Sequence, residues 1–393
     1  MKLLLSLLFC TMGIAYGQQY KKVHSKAIMV DSHNDILTAA IEKNVQIDAN
    51  LIGKTHSDLS RFKTAGIDLQ LFSVWCDGDK KEPLAWANRE MDTLDAVIAR
   101  NPTKIALVKN YSELTRAINE NKLAAMFGVE GGHMIENKLE NLDHFYNRGA
   151  RYMTLTWNNS TTWASSAWDE TAAAKKSPAD KGFTPGLNDF GKQVIKRMNQ
   201  LGMLIDLSHV GEQTFKDAIT LTTKPVLVSH SNAYTLCPVP RNLKDDQIDA
   251  IGKNGGVIQL NFYSGFVDSA FKNRETQFML SHAKEIDSLM KGGVQKEYAM
   301  SMIAAKYEAE SNALRPPLSA LLDHLDYIVN RIGVDHVGMG SDFDGVTSTP
   351  LQLDDITSYP LITKALLEKG YSKKQVYKIM GGNFLRVLKA NEQ

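Results

Sequence analysis

The sequence predicts an α/β fold, a (β/α)8 TIM-like barrel with an inserted helical segment. Short apolar runs alternate with helical patterns along most of the chain. Several helices end on glycine just before the next run, the mark of parallel βαβ units. Carboxylates and imidazoles fall one or two positions beyond the runs, and a barrel gathers its reactive groups at the carboxyl ends of its strands.

The elements follow in order. Residues 1–17 read as a signal peptide: Met1-Lys2 is a short positive region, Leu3 to Ile14 is apolar, and Ala15-Tyr16-Gly17 offers small residues for cleavage. The apolar stretch is too short for a membrane span. Export to the periplasm or the medium follows, with no transmembrane anchor after cleavage. A lipid anchor at Cys10 is the rival, but Leu7-Leu8-Phe9 lacks the small residues such a signal carries. Residues 18–393 read as one barrel domain. Its eight strands are expected at Ala27–Val30, Asp68–Trp75, Ala124–Val129, Tyr152–Leu155, Met203–Leu207, Val226–Ser229, Val257–Leu260 and His336–Gly340. Helices at Leu142–Arg148, Phe190–Leu201 and Leu318–Ile332 each stop before a glycine suited to a left-handed cap. Two segments break the rhythm. Asn158 to Gly186, rich in Ser, Thr, Ala and Trp, reads as a long loop over the strand ends. The stretch from about 264 to 312 reads as an inserted helical pair, near Glu275–Met290 and Tyr298–Ser311.

Composition is that of an ordinary globular protein, 43% hydrophobic and 23% charged over 393 residues. A formal net charge of +1, with no basic block, gives no reason to expect nucleic acid or a membrane surface as partner. Cys76 and Cys237 follow the signal peptide; one disulfide or two unpaired thiols are both compatible with export.

The chemistry lies in the strand ends. His33 and Asp35 share a side if the backbone stays extended through Asn34, so one segment could offer an imidazole and a carboxylate to one metal. Glu130 follows a wholly apolar run, where an unpaired carboxylate is costly and coordination compensates it. Taken alone it also suits a helix cap. His209 and His230 follow neighbouring strands, and Asp342 comes from strand eight, beside strand one. The five residues His33, Asp35, Glu130, His209 and His230 exceed the usual three ligands of one catalytic zinc and suit two metals sharing a carboxylate. His133 is placed to support Glu130 rather than to ligate.

Asp31-Ser32-His33-Asn34-Asp35, Gly128-Val129-Glu130-Gly131-Gly132-His133, Asp206-Leu207-Ser208-His209, Ser229-His230-Ser231-Asn232-Ala233-Tyr234, Arg241-Asn242-Leu243 and Gly340-Ser341-Asp342-Phe343-Asp344-Gly345 resemble the membrane (renal-type) dipeptidases. The matches run in order from Asp31 to about Leu385. The resemblance implies a barrel of the metal-dependent hydrolase type and a bacterial-type secreted zinc dipeptidase. It implies two Zn2+ per chain: His33 and Asp35 on one, His209 and His230 on the other, Glu130 bridging. A hydroxide held between the metals would attack the peptide bond. Asp342 would be catalytic, handling the proton, and Arg241 would bind the substrate carboxylate, a task a guanidinium fork suits. Manganese or cobalt would suit the same ligands.

The pattern departs at two places. Trp157 stands where the animal members carry a histidine; as a substrate-binding residue it can donate one hydrogen bond but exchange no proton. The animal cysteine partners are absent. The partner expected is thus a small dipeptide, with monomer and homodimer both open. The alternative function is a related binuclear amidohydrolase acting on lactones, β-lactams or other amides.

Overall fold

The computed structural model describes residues 19–171, 184–292 and 296–392. Each of the eight expected runs contributes a strand, and the strands pair in parallel around a barrel. They are β1 (Val30–Asn34), β2 (Leu69–Trp75), β4 (Leu123–Glu130), β5 (Ala150–Thr154), β6 (Leu204–Asp206), β7 (Leu227–Val228), β8 (Val257–Leu260) and β9 (Val337–Met339), joined in that order. A further strand, β3 (Ile105–Leu107), pairs with β4 off this path. It is too short to register as an apolar run.

The ring closes between its first and last strands. Asn34 bridges Phe343 in parallel, the Asp35 N–H donates to Phe343 O (2.8 Å), and the Asp342 N–H donates to His33 O (3.1 Å). All eight residues of β4 are buried, which explains its uninterrupted apolar run. Helices at Leu139–Arg148, Asp189–Leu201 and Leu318–Ile332 pack outside the strands. Gly149 and Gly202 take the left-handed cap conformation (φ 114° and 77°) that lets the chain turn straight into β5 and β6.

Three expectations need correction. The first strand lies at Val30–Asn34 rather than Ala27–Val30, so His33 is inside the strand. Its polar residues are buried because the barrel mouth supplies partners: the Asp31 carboxylate accepts from the N–H and hydroxyl of Ser341 (2.8 and 2.7 Å). The backbone does not stay extended to Asp35, which caps the following helix at φ −95°, ψ 22°. Among the described residues the inserted segment carries five helices rather than a pair: a single turn at Ser264–Val267, then Phe271–Ser281, Ala283–Lys291, Lys296–Lys306 and Glu308–Leu314. Each of the two expected helices is itself broken, one at His282 and the other at Tyr307, whose rings stack 3.9 Å apart. Phe278, Ile286, Ala299 and Ile303 form a small core of their own there.

The expected long loop shows no helix or regular strand in its described parts, and residues 172–183 of it lie outside the described residues. The signal peptide at 1–17 does too. No helix among the described residues is long and apolar enough to cross a membrane. Cys76 and Cys237 are buried free thiols, which resolves the disulfide alternative.

His324, on the helix Leu318–Ile332, ties the loop after β7 to the start of the insertion. Its Nδ1 accepts from the Ala233 N–H (3.1 Å) and its Nε2–H donates to Val267 O (3.0 Å). Both nitrogens are thus used by the neutral ring, and burial lowers its pKa below 6.5. The unfolded chain therefore takes up the proton first, so the stability this ring contributes is complete above about pH 6.5 and is lost as pH falls below it. His324→Gln should melt below the wild type near neutral pH, with the gap closing towards about pH 5. A gap that is constant across that range contradicts a neutral His324.

Candidate metal centre

Four strands deliver side chains to one point on the barrel axis. His33 lies in β1 and Asp35 just past it; Glu130 is the last residue of β4; His209 and His230 follow β6 and β7. Glu130 is 4% exposed and its two oxygens face different rings. Oε2 lies 3.1 Å from His33 Nε2, while Oε1 lies 2.9 Å from His209 Nε2 and 3.5 Å from His230 Nε2. Asp35 Oδ2 is 3.5 Å from His33 Nε2. The structure therefore brings together all of the residues expected to hold metal.

The donor set fits a cation. Nε2 of His209 and Nε2 of His230 face each other at 3.0 Å beside Glu130 Oε1. Asp35 Oδ1 is buried with no hydrogen-bond partner. Crowded lone pairs and an orphaned anionic oxygen are costly to bury unless a positive charge sits among them. Donor atoms of His33, Glu130 and His230 lie within 4.8 Å of one another, as do those of His33, Asp35 and Asp342. The second grouping places Asp342 closer to the metal donors than its expected proton-handling role required.

The metal-free electrostatics show the same crowding. Burial would raise Glu130, but the His33 charge and the neighbouring imidazoles of His209 and His230 hold it well below the usual carboxylate range. Burial acts to lower His33, yet the Tyr152 hydroxyl and the Glu130 and Asp35 carboxylates hold it well above its usual value. Burial takes His209 down to about 3 and His230 well below its usual value, leaving both as neutral ligand-ready rings. Burial also pushes Asp342 well above the ordinary range.

Asp342 sits past β9 at φ 59°, its Oδ2 accepting from Asn261 Nδ2 (2.7 Å) and its Oδ1 4.0 Å from His33 Nε2. Arg241 is 8% exposed; it donates to Ser231 Oγ and to His230 O (both 3.2 Å), and its buried Nε has no partner. Burial brings it down to about 10, so it stays charged near neutral pH. Trp157 is half-buried, 6.4 Å from the His209 ring and packed edge-on against Trp75 at 5.0 Å. His133 turns to Cys76 instead, its Nε2 3.1 Å from Cys76 O.

Several participants escaped the sequence reading. The Tyr152 hydroxyl meets His33 Nδ1 (2.7 Å), reaching it through space that only Gly128 leaves open, since a Cβ there would lie 1.9 Å from the phenol ring. Ser73 Oγ donates to Glu130 Oε2 (3.1 Å), and Asn158 Oδ1 holds His209 Nδ1 (3.1 Å). Asn261 and Trp75 complete the walls. Trp75 alone carried a usable signal, as the last residue of an apolar run.

A model of the family described as Membrane dipeptidase (Peptidase family M19) matches residues 17–393. An uncharacterized dipeptidase of Schizosaccharomyces pombe, C965.12, is 30% identical over 397 residues, covering 95% of this chain and 83% of that protein. The fold is similar to the probable dipeptidase PvdM from Pseudomonas aeruginosa, with TM-score 0.78, 22% identity, and 96% and 98% of the two chains covered. It is also similar to a metallo peptidase from Rhodobacter sphaeroides, solved with a phosphinate mimic of the dipeptide L-Ala-D-Ala. That match has TM-score 0.73 and 22% identity, and covers 93% and 100% of the two chains.

Proposed function

The chain belongs to the membrane dipeptidase family, peptidase family M19, and we propose that its metallo-dipeptidase activity depends on two zinc ions with Glu130 between them. One ion is assigned to His33 and Asp35, the other to His209 and His230. The observation that carries this is the division of Glu130, Oε2 towards His33 and Oε1 towards His209 and His230. Zinc bound there would supply a Lewis acid for the scissile carbonyl and a water made nucleophilic near neutral pH.

The remaining work falls to the chain. Arg241, anchored to Ser231 and His230 through one N–H of each terminal nitrogen, offers its remaining N–H groups, the unpartnered Nε–H among them, to the substrate carboxylate. Asp342, held by Asn261, accepts the proton of the attacking water and returns it to the leaving amine nitrogen. Trp157 and Trp75 form an aromatic wall beside the rings, excluding water and packing substrate side chains. A substrate gripped at its carboxylate and approached by Asp342 at its amine end must be short, which suits a dipeptide. The lactone or β-lactam reading is not favoured by the family match.

Export is proposed from residues 1–17 alone, and sequencing the amino terminus of the mature protein should give Gln18 first. An intact Met1 would remove that reading. Glu130→Ala should lose bound zinc and dipeptide cleavage together; full cleavage by that variant would overturn the assignment. Arg241→Lys replaces a fork with a point charge. It should raise KM by roughly 10–100-fold, the worth of one hydrogen bond between charged groups, and change kcat far less. Steady-state kinetics on a free dipeptide check this, and an unchanged KM would remove Arg241 from the substrate site.

A further inference from the structure

The ligating imidazoles are oriented through their Nδ1 atoms, and the three partners differ in kind. His33 meets the Tyr152 hydroxyl and His209 meets the Asn158 amide oxygen. His230 meets Ser229 Oγ at 2.8 Å, and Ser229 Oγ is bonded in turn to Asp206 Oδ2 at 2.6 Å. Asp206 is fully buried at the end of β6 and gathers donors from three strand ends. Its Oδ1 accepts from the N–H groups of Ser208 (3.1 Å) and Ser229 (2.8 Å), and its Oδ2 also accepts from Thr154 Oγ1 (2.5 Å).

Proton counting fixes the direction of this chain of bonds. An ionised carboxylate can only accept, so the single hydroxyl proton of Ser229 goes to Asp206. Ser229 Oγ can then only accept from His230, which places the ring proton on Nδ1. The bare Nε2 is left facing Glu130 Oε1 and His209 Nε2 (3.5 and 3.0 Å). A carboxylate behind a ligating imidazole also makes the ring a stronger donor to metal. The corresponding contacts of His33 and His209 are to a phenol hydroxyl and an amide oxygen, both neutral groups.

We infer that Asp206, acting through Ser229, is the positioning residue that locks the metal-binding tautomer of His230 and sets the affinity of one metal position apart from the other. This rests on the reading of His230 as a zinc ligand. Asp206→Asn keeps the shape but reverses the relay. The amide oxygen stays with the two backbone N–H groups, and the amide N–H₂ donates to Thr154 and Ser229. Ser229 then donates to His230 Nδ1, and the ring proton moves to Nε2, where metal would bind. Ser229→Ala removes the relay with less disturbance, leaving Asp206 its two backbone donors.

The test is zinc competition against a chromophoric chelator, using the metal-free full-length mature protein. Wild type should take up two equivalents. Both variants should keep one equivalent at wild-type affinity and bind the other roughly 10–100-fold more weakly. Cobalt loaded in place of zinc should show the change in only one of its two visible-absorption components. If Asp206→Asn does not fold, Ser229→Ala decides alone, with its metal-free melting temperature expected near wild type. Wild-type affinity for both equivalents in Ser229→Ala overturns the inference. Equal weakening of both also overturns it, because that marks general loosening of the barrel mouth. A wild-type protein that binds no zinc instead overturns the metal reading beneath it.

Discussion

Glu130 is an anion at the end of a strand whose other residues are all apolar and buried, and in that setting a lone carboxylate costs several kcal/mol. Nothing in its own segment compensates it. The compensation comes from His33, His209 and His230, which stand on three other strand ends and are far apart in the sequence. Only a closed parallel barrel brings those ends to one carboxylate. The register of β1, β6 and β7 against β4 is therefore tied to this one charge: a slip of one residue would turn each ligand to the other face.

Three of the strands that open onto the site are short. β6 has three residues, β7 two and β9 three, too few ladder bonds to hold a side chain to within a fraction of an ångström. Side-chain hydrogen bonds take over where the ladders stop. Ser32 Oγ donates to Ser229 O (2.7 Å), Ser229 Oγ donates to Asp206 Oδ2 (2.6 Å), and Ser341 Oγ donates to Asp31 Oδ2 (2.7 Å). These buried hydroxyls and carboxylates form a polar layer between the apolar barrel core and the metal site. Each of these hydroxyls and carboxylates has its partner, so the layer stiffens the mouth instead of weakening it.

That layer explains which parts were legible in the sequence. Runs such as Ala124–Val129 and Val226–Ser229 announce their burial directly, and so do Glu130 and His230, the residues that follow them. Tyr152, Ser73 and Asn261 give no such signal, because a tyrosine, serine or asparagine near a strand is ordinary until its partner is known. The partners are 119, 57 and 81 residues away. The first strand follows the same logic: the apolar run ends at Val30, and only the closure onto Phe343 shows that the polar residues Asp31 to Asn34 continue it. The insertion was underdivided because its breaks at His282 and Tyr307 use no glycine or proline.

The backbone carries the final constraint. His209 and Asp342 adopt φ of 64° and 59°, left-handed values that cost a side-chain-bearing residue about 1–3 kcal/mol each. In both cases the chain is leaving its strand at the mouth while the side chain stays with the other donors. The turns are held by more than one bond: His209 O accepts from the Ala167 N–H (2.8 Å) and Thr156 Oγ1 (3.2 Å), and the Asp342 N–H is bound to His33 O (3.1 Å). Strain fixed this way is met during folding, before any metal arrives. The donors therefore need little further ordering when an ion enters, and the binding free energy is not spent on arranging them.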